Sequence, residues 1–237
     1  MRFPIAMILS TALAMGMSTA NAATMFEATH TCPINGEKFT RMERGAVLQV
    51  GKMLDLKPYG DFEGVWPLVA VCPGNGFVIY KNDFKAEELE KAKAFIQSPD
   101  YLRIKDQETP RYLAVRLARV IGEDDDSIAV LTLMSTWEAR NPEEYARYAQ
   151  EALVLYRTLL AKPDAAKDPM WPSRQLLAGE FERRLSMFAE AQARFEELRK
   201  NERFKQPGIF SDLLEYQLKL VQEKNSASQQ IPKTPTK

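Results

Sequence analysis

The chain has 237 residues, of which 45% are hydrophobic and 27% charged, with 32 basic and 32 acidic side chains. A net charge near zero excludes the electrostatic footprint of a nucleic-acid binder, a polybasic membrane patch and an acidic disordered chain. One histidine and two cysteines leave little material for metal or nucleophile chemistry, and no cofactor is implied.

Residues 1–22 read as a secretory leader. Arg2 supplies a positive start, Ile5 to Met17 is uncharged and mostly apolar, and Ala20-Asn21-Ala22 places cleavage between Ala22 and Ala23. At roughly 13 residues the apolar run is short of the ~20 that span a bilayer. No cysteine stands at the cleavage point to take a lipid. The expectation is export to the periplasm, with no membrane insertion after cleavage.

Export changes what Cys32 and Cys72 mean, because that compartment favours disulfides. Their contexts echo each other: Cys32-Pro33-Ile34-Asn35-Gly36 and Cys72-Pro73-Gly74-Asn75-Gly76. Both are C-P-x-N-G, whereas a zinc-ribbon knuckle is C-P-x-C-G and two knuckles give one zinc four thiolates. Asparagine stands at the second ligand position of both loops, and an amide oxygen is a poor zinc ligand beside a thiolate. The main expectation is a Cys32–Cys72 disulfide where a ribbon would hold zinc. Closing a loop of about 41 residues contributes roughly 4 kcal/mol in the chain-entropy model. Two alternatives stay open: a redox-active pair, and a residual metal site using His30 with Cys32 and Cys72.

Around these loops the pattern is strand-like. Glu37 to Met42 alternates, Ala46 to Val50 is a further candidate, and Leu68-Val69-Ala70-Val71 with Phe77-Val78-Ile79-Tyr80 forms a hairpin. Asp55-Leu56-Lys57-Pro58-Tyr59-Gly60 reads as an irregular connector. Asp83 is expected to cap a helix carrying Leu89, Ala92 and Ile96, which Ser98-Pro99 ends. Cys32-Pro33, Leu54 to Tyr59, Cys72-Pro73 and Gly76 to Phe84 together resemble an uncharacterised bacterial family. That family has paired C-P-x-C-G knuckles, an L-D-L-x-P-Y-like connector and tetratricopeptide-like helices. The resemblance covers residues 28–98 well and the helical part more loosely. It implies an architecture and no activity, and Asn35 and Asn75 depart from its zinc pattern.

From Pro99 onward the signals are helical. Thr109-Pro110 opens a helix that Gly122 closes, and Asp126 starts the next. Asn141-Pro142-Glu143-Glu144 starts a third, which runs to Pro163. Residues 173–185 and 188–200 form a further pair, and Phe210 to Val221 marks a last helix. Short connections imply antiparallel neighbours. Residues 179–198 resemble a tetratricopeptide motif, with Gly179, Phe188, Ala191 and Phe195 at its signature positions. Stacking of such repeats creates a concave surface. Trp137, Tyr145, Tyr148, Trp171 and Phe181 are the candidates for lining it, although aromatic stripes more often fill a core. The tail from Asn225 to Lys237 is expected to be disordered.

The motif set contains no G-x-S-x-G, P-loop, G-x-G-x-x-G or H-E-x-x-H, and Glu123 to Asp126 lacks EF-hand spacing. The expected fold is α+β, mainly α: a leader over 1–22, a degenerate ribbon-like β module over 23–98, a tetratricopeptide-like helical domain over 99–224 and a tail over 225–237. The expected function is a periplasmic, non-catalytic interaction or scaffold protein holding a protein or peptide partner. The rival is an envelope metal-handling protein or enzyme using His30, Cys32 and Cys72.

Overall fold

Residues 25–61 and 69–232 are described by the computed structural model; the leader, its cleavage site, Leu68 and the last five residues lie outside them. Strand β1 (Met25–Thr31) runs into the first C-P-x-N-G turn and returns antiparallel as β2 (Lys38–Arg44), with Thr31 opposite Lys38. Strands β3 (Gln49–Lys52) and β4 (Pro58–Gly60) pair across the Leu54–Lys57 connector. Strands β5 (Ala70–Val71) and β6 (Val78–Ile79) flank the second C-P-x-N-G turn.

The two turns share one hydrogen-bond scheme. In the first, the Cys32 amide donates to the Glu37 carbonyl at 2.8 Å and the Gly36 amide to the Cys32 carbonyl at 2.9 Å. In the second, the Cys72 amide donates to Phe77 and the Gly76 amide to Cys72, both at 2.8 Å. Gly36 and Gly76 sit at φ 71° and 76°, a region that strains side-chain-bearing residues. Asn35 and Asn75 accept from the amides of Glu37 (3.2 Å) and Phe77 (2.9 Å), so each asparagine closes its own turn. Between the turns runs the Cys32–Cys72 disulfide, with Cα atoms 5.6 Å apart. The Glu37 carboxylate also accepts from the Gly74 amide across the pair at 3.1 Å.

Nine helices follow among the described residues: α1 (Ala86–Ile96), α2 (Pro99–Ile104), α3 (Pro110–Ile121), α4 (Asp125–Thr136), α5 (Pro142–Leu160), α6 (Trp171–Arg184), α7 (Phe188–Arg199), α8 (Glu202–Lys205) and α9 (Ile209–Gln222). The fold is therefore α+β and mainly α. Cys32, Cys72 and Phe77 share one core with Ile96, Tyr101 and Leu117, so packing continues past residue 98 without a break. Helix α3 lies on α1, from α4 to α7 each helix lies against its predecessor, and α9 returns onto α6 and α7.

Local chemistry explains most helix ends. Prolines at 110 and 142 occupy first-turn positions where a missing N–H costs nothing. The Asn141 side chain accepts from the Glu144 amide at 2.8 Å, and Gly122 at φ 90° closes α3. Three expected ends differ. Ser98-Pro99 starts α2 rather than only stopping α1, because Ser98 Oγ accepts from the Tyr101 amide at 3.2 Å. Lys85, not Asp83, precedes α1, its amide bound by the Glu88 carboxylate at 2.9 Å. Asp124, not Asp126, caps α4 by accepting from the Ser127 amide at 2.8 Å. That leaves Asp125 and Asp126 at the positive helix end.

Gly179 on α6 lets α7 approach: a Cβ there would lie 2.2 Å from the Phe195 ring. Gly179→Ala is expected to destabilise the fold by about 1–3 kcal/mol, read by denaturant unfolding. An unchanged midpoint would show that Phe195 has room to move.

The tail departs most from expectation. Over 225–232 it is ordered, not disordered. The Leu54 amide donates to the Gln229 carbonyl at 2.8 Å, the Ile231 amide donates to the Lys52 carbonyl at 2.9 Å, and Met53 bridges Gln230. Its polar composition carries no core, but backbone pairing needs none. Residues 233–237 lie outside the described residues.

Candidate functional site

The Leu54–Lys57 connector is held between the helices and the tail. The Met53 amide donates to the Lys57 carbonyl at 2.8 Å, closing a tight turn with Leu56 at φ 64°. Such a conformation in a branched residue needs surroundings that enforce it. Trp137 supplies them on the helical side: its indole N–H donates to the Asp55 carbonyl at 3.1 Å, and Lys57 Nζ donates to the Trp137 carbonyl at 3.0 Å. Leu56 packs onto the core of α4, α5 and α6.

Beneath the tail lies a buried charged cluster. The Arg183 guanidinium is bonded to both Glu180 oxygens, at 2.9 and 2.6 Å, and to the backbone carbonyls of Asn225 and, at 3.0 Å, Ala227. Gln217 on α9 donates to Glu180 at 3.2 Å. One arginine thus joins α6 to the returning tail.

Two recesses open beside the connector, and Trp137 borders both. The larger is an apolar groove of about 760 Å³, with Leu133, Tyr156, Leu159 and Leu177 among its lining and Leu56 contributed by the connector. Val130 and Met170 stand along it at 51% and 53% exposure. Tyr156 is 3% exposed, and its hydroxyl makes no hydrogen bond within the described chain. Charges border the groove in pairs: Arg174 with Asp126 (2.5 Å) and Asp168 (2.6 Å), and Lys81 with Glu123 (2.6 Å) and Glu88 (2.8 Å).

The smaller recess is a basin of about 580 Å³ lined by Asp55, Lys57, Trp137, Tyr145, Arg184 and residues of the tail. Arg184 lies over the Tyr145 ring at 4.2 Å and reaches Asp55 only at 3.8 Å. The Tyr145 hydroxyl is buried without a partner. Burial pushes the Asp55 carboxyl above its ordinary value, against the opposing pull of the Lys57 amide, Arg184 and Lys57. A carboxyl whose pKa is raised on folding stabilises fully below its unfolded value near 3.8, and that contribution is lost as pH rises through the folded value. The stability of the wild type relative to Asp55→Asn is therefore expected to fall as pH rises above the ordinary carboxyl value, read as paired melting temperatures. A constant difference would contradict a raised pKa.

The five aromatics expected on a partner surface do not form one. Tyr148 and Phe181 are fully buried, and Trp171 nearly so. Tyr148 stacks on Tyr112 at 4.3 Å and donates to Glu108 at 2.7 Å, its hydroxyl pushed up to about 12 by burial and that bond. Trp171 borders a separate polar recess with Glu182 and Arg194. Only Trp137 and Tyr145 reach the recesses described above. Sequence reasoning missed Val130, Met170, Lys57 and Arg184, because nothing local distinguishes them from ordinary helix and loop residues.

His30, Cys32 and Cys72 do not make a ligand set. His30 Nε2 pairs with Glu43 at 2.8 Å, its ring stacks on Phe39, and the two sulfurs are bonded to each other. Among the described residues no group of three His, Cys, Asp or Glu side chains is placed to hold a metal ion, and no helix is long and apolar enough to cross a membrane. No protein-family model, no curated protein and no solved structure matches the chain at a significant level.

Proposed function

We propose that the protein is a non-catalytic interaction protein of the periplasm, whose helical part holds a protein or peptide partner in the apolar groove along α4. The observation that carries this reading is the groove itself. It has an apolar floor drawn from the core, exposed Val130 and Met170 along it, and a volume of about 760 Å³ within the usual range of ligand pockets. The tetratricopeptide-like reading of the helices is supported by their succession and by the Gly179–Phe195 approach between α6 and α7. The ribbon-derived reading of the N-terminal module is supported by the two matching turns and the bond between their cysteines. Export is supported by that disulfide together with the leader-like sequence of residues 1–22.

The test compares tagged wild-type protein recovered from the periplasm with Met134→Glu and Val154→Glu. Met134 lines the groove, and Val154 is exposed outside both recesses. The expected result is one partner recovered with wild type and Val154→Glu and lost with Met134→Glu. Equal recovery with all three proteins would overturn the assignment of the groove.

A further inference from the structure

We infer that the segment bound in the groove carries an acidic side chain beside its apolar anchors, received by Lys57 and Arg184 in the adjoining basin. This rests on the reading of the groove as a peptide site and adds the chemistry of the peptide.

Trp137 borders both recesses, and the connector gives Leu56 to the groove and Asp55 and Lys57 to the basin, so the two recesses adjoin. The two recesses differ in how their cations are paired, apart from Lys52, which lines the groove and makes no ion pair among the described residues. Along the groove Arg174 and Lys81 are each paired with two carboxylates. In the basin Arg140 is satisfied by Glu144, which leaves Lys57, Arg184 and Asp55. The Lys57 ammonium has no carboxylate within ion-pair distance among the described residues and donates to the Trp137 carbonyl, while the Lys57 amide donates to Asp55 at 3.1 Å. Arg184 faces one carboxylate at 3.8 Å, beyond hydrogen-bond reach. Two cations therefore share one distant anion, in a recess walled by Trp137, Tyr145 and the tail.

Such groups keep unused donor capacity: an ammonium has three N–H, of which Lys57 spends one on the Trp137 carbonyl, and a guanidinium has five. A partner carboxylate would take it up in charge-assisted bonds, which are about twice as strong as neutral ones. The Tyr145 hydroxyl, buried and unpartnered beside Arg184, supplies a further polar group at the same place. A lysine or arginine side chain would instead meet the two cations and be rejected. Apolar residues in the groove and an acid in the basin give one amphipathic recognition pattern. The groove contributes affinity and the basin fixes direction and register.

The experiment pans a phage-displayed random dodecapeptide library on the full exported protein, oxidised, as wild type, Lys57→Glu and Arg184→Gln. The fold of each variant is checked by its melting transition. The inference expects wild type to enrich peptides with two or more bulky apolar residues and an Asp or Glu. It also expects the best peptide to weaken roughly tenfold or more when its acid becomes the amide. On Lys57→Glu or Arg184→Gln, acid and amide peptides should bind alike, and either folded variant suffices. Enrichment of apolar peptides with no acidic preference would overturn this inference and leave the peptide site standing. No enrichment on wild type, with or without binding of laurate as an anionic amphiphile, would overturn both.

Discussion

Arg183→Met is expected to lower stability by about 3–5 kcal/mol, because removing one member of a buried ion pair strands the other. Arg183 is fully buried, and so is Glu180, which would keep only the Gln217 amide as a donor. The same substitution removes the donor to the Asn225 and Ala227 carbonyls. Residues 225–232 should then become accessible to protease and exchange their amides rapidly, beginning with Ile231, whose amide pairs with Lys52. The charge pair is the cause, so Glu180→Met in the Arg183→Met background should recover part of the loss by removing the stranded carboxylate. Denaturant unfolding of the three proteins measures this. A loss below about 1 kcal/mol would show that water reaches Glu180 and that the tail is held by its strand-like pairing alone.

Removing the disulfide is the second large effect. Cys32→Ser with Cys72→Ser is expected to cost roughly 4 kcal/mol, from the loop-closure entropy returned to the unfolded chain. The structural consequence should be regional. The bond joins the two turns inside the core they share with α1, α2 and α3, whereas the cores around Phe181 and Phe195 do not include it. Amides of β1, β2, β5 and β6 should lose protection first, while those of α6 and α7 keep it. Reductant added to the wild type should reproduce the shift, and the oxidised protein should weigh two protons less than the reduced one. A double variant as stable as wild type would mean that the packing of Phe77 and Tyr101 holds the turns together unaided.

Features written in adjacent residues were legible. Asn141-Pro142 marks a helix start because the Asn141 oxygen and the proline ring act within one turn of chain, and Thr109-Pro110 marks one by its proline alone. Gly122 marks a helix end because a positive φ is a local demand. The cysteine pairing was legible because the chain has only two cysteines, in matching turns. What escaped depends on partners far along the chain. The tail looked unstructured because its order comes from Lys52, Leu54 and Arg183, not from its own composition. Asp55 to Gly60 reads as irregular, yet Pro58–Gly60 is strand β4, and the hold of Asp55 and Lys57 on Trp137 spans about eighty positions and leaves no local sign. Tyr148 and Phe181 look the same in a sequence whether they face a groove or a core, and here they face the core. Ser98-Pro99 can end one helix and begin another, and here it does both.

The groove along α4 is tested most directly by placing a photo-crosslinking amino acid at Val130 and, separately, at Val154, in cells that make the protein from its full sequence. Both positions are exposed, at 51% and 58%, and Val154 borders neither recess. The account predicts one discrete adduct from Val130 and none from Val154, with the Val130 adduct diminished by Lys57→Glu. Adducts of equal yield from both positions, or none from Val130, would contradict it.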